Sequence, residues 1–113
     1  MSAEVTTTFD PNGEYGKVIT VKHGPISINE WAATTLSAEE NAEWLRQDKI
    51  HEDAVKAAIA AGDCELVQHD HQNANIKWRS TEIHEKWMNT ISQEDHRIYS
   101  DFWSRYQKAM EER

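Results

Sequence analysis

Two histidines, His69 and His71, stand two residues apart in the stretch Cys64 to Trp78, "CELVQHDHQNANIKW". On an extended strand, residues two apart project to the same side, so both imidazoles would share one face with Asp70 opposite. Paired imidazoles are a common start for zinc or another divalent transition metal. A third ligand completes such a site and leaves one position open for water or substrate. His84 is the leading third ligand, with Glu82, His51 and Cys64 as further donors. The candidate metal set is therefore His69, His71 and His84. The opposing reading places both histidines in a solvated hairpin loop that binds nothing. It outweighs the metal, because His-x-His is common by chance and a real site needs convergent further ligands. The expected cofactor set is none, with zinc as the alternative.

Other chemistry-bearing stretches fail at named positions. "HEDAV" at His51 and "HEKWM" at His84 begin like the zinc-protease motif His-Glu-x-x-His. Val55 and Met88 occupy the position of the second histidine, so neither qualifies. His51 lies on the apolar side of its helix, where a core or boundary histidine is the default. Asp10, Asn12 and Glu14 alternate as in a calcium loop, yet Tyr15 stands where glycine is needed and Val21 where a bidentate acid is needed. Cys64 beside His69 suggests a nucleophile, but no family pattern surrounds it, and a small half-buried thiol is the usual case. There is no Gly-rich phosphate loop, no G-x-S-x-G and no dinucleotide fingerprint. No catalytic residue is assigned, and the sequence favours a protein that is not an enzyme.

The elements that must position these residues alternate between hairpins and helices. Alternation in "EVTTTF" and "GKVITVK", with Asp10-Pro11-Asn12-Gly13 between, predicts a β-hairpin over 4–9 and 16–22. Ser27 with Glu30 forms a capping box, Ile26 and Trp31 a hydrophobic staple, and a short helix over 28–35 follows. Ser37 and Glu40 repeat the box before a long helix over 38–61 that stops at Gly62. Its inward stripe is Trp44, His51, Val55 and Ala58. A second hairpin is expected over 64–69 and 75–79, with an amide-rich loop between. Ser80 or Thr81 starts a helix bearing Ile83, Trp87, Met88 and Ile91. Ser92 starts a new stripe of Ile98, Tyr99, Phe102, Tyr106 and Met110 on a different heading, so the helix breaks at Ser92.

The fold expected is a single α+β domain over 1–113, helix-rich, with two β-hairpins packed against a long central helix and a C-terminal helical pair. The chain of 113 residues is 38% hydrophobic and 28% charged, an ordinary globular composition. Its five tryptophans can form much of the core. A net charge of −8 disfavours nucleic acid and anionic membrane surfaces as partners. Six acids face two bases between residues 37 and 53, which reads first as a solvated helix face. One cysteine, no leader-like N-terminus and no apolar run of about 20 residues lead to the expectation of a cytoplasmic protein.

The leading functional reading is a small interaction or assembly protein, self-associating or bound to a protein partner. Its candidate interface is Phe102, Trp103 and Tyr106, a stripe too wide for one neighbouring helix to cover. The alternative is a metal-binding protein or metal-dependent enzyme using His69 and His71. A third reading is an accessory protein of viral or mobile-element origin that docks the acidic helix on a basic partner.

Overall fold

Among the described residues, four serines start four helices. The computed structural model describes residues 3–10, 15–69 and 73–112, with the side chain of His69 outside that description. The helices are α1 (Ile28–Thr35), α2 (Ala38–Ala60), α3 (Thr81–Met88) and α4 (Gln93–Glu111). Ser27, Ser37, Ser80 and Ser92 each accept a hydrogen bond from the amide three residues on, all at 3.1 Å. Each bond satisfies one of the donors that a helix start leaves unpaired. The C-terminus of α2 is equally specified. Gly62 takes φ +77, its N–H donates to Ile59 O, and Asp63 N–H donates to Ala58 O. That is a Schellman motif, which a residue with a Cβ enters only under strain. Among the described residues, no helix is long and apolar enough to cross a membrane.

The strands are β1 (Glu4–Thr8), β2 (Lys17–Lys22), β3 (Cys64–His69) and β4 (Asn73–Trp78). The two hairpins join into one antiparallel sheet of order β1-β2-β4-β3, because β2 pairs with β4. Strand β4 begins two residues earlier than expected. Asn73 reads as a loop residue from its amide, yet it pairs with Lys22, two places before the expected strand start at Asn75, which pairs with Thr20. They occupy the polar outer face, where Thr20 Oγ1 donates to Asn75 Oδ1 at 2.8 Å and Asn75 Nδ2 to Gln68 Oε1 at 3.2 Å. The register shifts between Leu66 and Gln68, a bulge on the β3 edge. The turn residues Pro11–Gly13, and His71 between β3 and β4, lie outside the described residues.

The opposite face carries Ile19 and Val21 of β2, Ile76 and Trp78 of β4, and Cys64 and Leu66 of β3, in register with one another. It faces the helices. Helix packing produces two separate cores. One gathers Trp31, Ala32, Trp44, Phe102, Tyr106 and Met110 from α1, α2 and α4. Trp44 stacks on Tyr99 at 5.6 Å, and its indole N–H donates to Asn29 Oδ1 at 2.7 Å. Tyr106 ties α4 to the loop before α1: its hydroxyl accepts from Gly24 N at 2.7 Å and donates to Ile26 O at 2.5 Å. Gly24 admits that approach, since a Cβ there would lie 2.7 Å from Met110. The second core is Ala58, Cys64 and Trp78, flanked by Val55, Ile83 and Trp87. The break before α4 falls at Ser92, where Ile91 is buried and His96 donates from Nε2 to the Met88 carbonyl at 2.7 Å.

Candidate ligand-binding cleft

Between the two cores the apolar sheet face is only half covered. Every residue of β2 except Lys22 is partly buried, on both faces of the strand. The uncovered space is a cleft with two adjoining lobes of about 360 Å³ and about 450 Å³. Val21, His51, Val55, Ile76, Tyr99 and Trp103 line both lobes. One lobe extends toward His84 and Met88 of α3, the other toward His23, Asp48 and Leu66. The size and the mixture of many apolar walls with few polar groups are those of a small-molecule site.

His51 stands at the junction, one turn beyond Gln47 on the inner stripe of α2. Its Nδ1 lies 2.9 Å from the Gln47 carbonyl oxygen. A carbonyl only accepts, so Nδ1 carries the proton and Nε2 holds the lone pair. The ring stacks on Tyr99 at 3.7 Å and meets His96 edge-on at 5.3 Å. Nε2 is buried and has no partner among the described residues. Burial lowers the pKa of His51 below its ordinary value, and the neighbouring His96 adds to that. The same burial pushes the Tyr99 phenol up to about 12, against a hydrogen bond from Trp103. The Asp48 carboxyl is raised by desolvation, with the charge of Glu52 adding to it.

His84 has the opposite wiring. Lys17 Nζ lies 2.9 Å from its Nδ1, and an ammonium only donates. His84 is therefore neutral, with its proton on Nε2. Burial first, then the charges of Lys17 and His96, push its pKa down from 6.5 to about 4.

Of the expected metal ligands His69, His71 and His84, only His84 has a described side chain. His84 packs on Trp78, ring centroids 4.8 Å apart, at the end of β4 that pairs with Cys64. The backbone of His69 pairs with Ala74, four residues back along β4, roughly 13 Å away at strand rise. His71 lies outside the described residues. Among the described residues, no three His, Cys, Asp or Glu side chains are placed to hold a metal ion. Cys64 is buried under Trp78, and burial raises its thiol to about 12, so it stays protonated. Of the three expected interface residues, Phe102 and Tyr106 are 5% and 0% exposed inside the first core, and Trp103 alone is part-exposed, at the cleft. On the acidic helix, Glu40, Glu43, Glu52 and Asp53 each lie within ion-pair distance of a base of this chain.

Spacing in the sequence flagged His51 by its place on an apolar stripe, but as a core residue. It gave no sign of His96, 45 positions away, or of Lys17 beside His84, because the first contact needs α4 packed on α2 and the second needs β2 beside α3. No protein-family model, curated protein or solved structure matches the chain.

Proposed function

We propose that this protein is a small-molecule binding module that holds an apolar ligand between its sheet and its helices. The observation that carries this reading is the half-covered sheet face, an open cleft of about 360 Å³ walled by Ile19, Val21, Val55 and Ile76. A folded chain rarely leaves so much apolar wall beside so few polar groups without a use for it. The inert thiol of Cys64 supports binding over catalysis. The test is a titration with naphthalene, an uncharged aromatic body, followed by tryptophan fluorescence and by thermal melting. Saturable quenching with a raised Tm supports the reading. Unchanged emission and an unchanged Tm up to the solubility limit contradict it.

A second reading, self-association, is favoured by the edges of the sheet. On β1 and just beyond it, Val5 and Phe9 are 46% and 70% exposed, and Val67 on the β3 edge is 50% exposed. A second copy could pair edge to edge and cover these side chains. Light scattering tests it: a dimeric mass that Phe9→Asp returns to monomer supports it, and a monomer at all concentrations refutes it.

A further inference from the structure

The sheet has two edges, and among the described residues only β1 is built to accept a further strand. We infer that two copies of the chain pair β1 with β1 in antiparallel register centred on Thr7, and that Phe9 of the partner subunit then forms part of the cleft wall beside Val5. This pairing rests on the self-association read from the sheet edges. On β1 the register with β2 runs unbroken from Glu4 to Thr8, all five residues are exposed, and no Lys, Pro or bulge interrupts them. Those are the devices that keep an edge from pairing. The β3 edge carries one, the bulge between Leu66 and Gln68. Threonine and valine suit a strand, and no charged residue falls between Val5 and Phe9. Helix α2 packs against β3 and α3 against β4, on the far side of the sheet, which leaves space beyond β1.

The exposed apolar side chains fix the register. Val5 and Thr7 lie opposite Val21 and Ile19, on the face turned to the helices. Side chains alternate along a strand, so Phe9 continues that row when β1 runs one residue further. Val5 is 46% exposed and Phe9 is 70% exposed, and two antiparallel copies bring them face to face only where Thr7 meets Thr7. About that axis Val5 of each copy meets Phe9 of the other, an aromatic ring against a β-branched side chain, and Thr6 meets Thr8. Val5 lines the smaller lobe of the cleft with Val21 and Trp103, so Phe9 of the partner subunit arrives at its rim. The same register sets Glu4 against Asp10, and each chain carries a net charge of −8. Association should therefore strengthen with salt, which screens that repulsion.

A cysteine at the axis tests the register. Thr7→Cys should cross-link to its own copy in oxidised glutathione, since directly opposed Cα atoms lie about 4.5–5.5 Å apart, within disulfide reach. Thr6→Cys should cross-link about tenfold more slowly, because Thr6 of the two copies stand on a diagonal about 7–8 Å apart. Cys64 is buried in both variants and stays out of the exchange. Light scattering of the native chain should show a dimer fraction that grows as salt is raised. The cross-linked Thr7→Cys dimer should bind naphthalene about threefold tighter than its reduced form diluted to monomer, the effect of one added aromatic contact. A monomer at every concentration and salt overturns self-association and this pairing with it. A dimer in which Thr6→Cys cross-links as fast as Thr7→Cys overturns the pairing and leaves self-association standing. Equal naphthalene affinity in the cross-linked and reduced forms overturns the part given to Phe9 in the cleft, and binding to neither form overturns the cleft itself.

Discussion

Val21→Phe places a larger apolar side chain on the floor of the cleft. Val21 lies in β2, its cross-strand neighbours are Val5 and Ala74, and it is half-buried. One neighbour is small and the other part-exposed, so the added ring has room. Phenylalanine brings four more carbons, worth roughly 3 kcal/mol if all left water, at about 0.8 kcal/mol each. The cleft is open on one side, so about half of that is realised. Ordering the ring removes about another 0.5–1 kcal/mol. The expected net is a stability change between about 0 and +1 kcal/mol. The same insertion into a filled core costs about 1–3 kcal/mol. Urea denaturation followed by far-UV circular dichroism measures the difference through the midpoint at constant slope. A loss of more than about 1 kcal/mol would refute the reasoning, because it would mean the space is not there. The same variant should also lose naphthalene binding.

Tyr106→Phe leaves the buried Gly24 N–H and the Ile26 carbonyl without their shared hydroxyl, and urea melts should show a loss of about 2 kcal/mol. Stability should fall on acidification from pH 6.5 toward 4. The folded pKa of His84 lies below its unfolded value, so the unfolded chain binds the extra proton in that window and stability rises with pH. Solvent screening at this half-exposed ring reduces the effect to about 1–2 kcal/mol, and His84→Gln should flatten that part of the stability-against-pH profile. Cys64 should react with a thiol reagent only as fast as the chain opens, so the rate should rise steeply through the urea transition; immediate labelling of the native protein would be inconsistent with a buried, protonated thiol.

The elements were legible because their starts and stops are written in local chemistry. Ser27, Ser37 and Ser92 mark helix starts that the amide bonds now confirm, and Gly62 marks the end of α2. Asn73 misled because an amide suits a loop and the polar face of a strand equally well, and only pairing with β2 decides between them. The stripe of Phe102, Trp103 and Tyr106 was visible, but periodicity cannot say whether a wide stripe meets its own chain or another. Here two of the three meet α1 and α2. The cleft was least legible. It depends on where two cores stop short of each other, a property of the assembled layers that no window of sequence contains. His51 was in view as an inward histidine. Its unpartnered nitrogen became visible only with Gln47, Tyr99 and His96 in place.

The central claim is that the space between sheet and helices holds a small aromatic molecule. Amide and methyl chemical-shift mapping during a 2-naphthol titration tests it most directly. The account predicts saturable shifts confined to Ile19, Val21, His51, Val55, Ile76 and Trp103, the walls of the cleft. Shifts confined to the exposed side chains at Phe9 and Val67, with those walls unmoved, would contradict it.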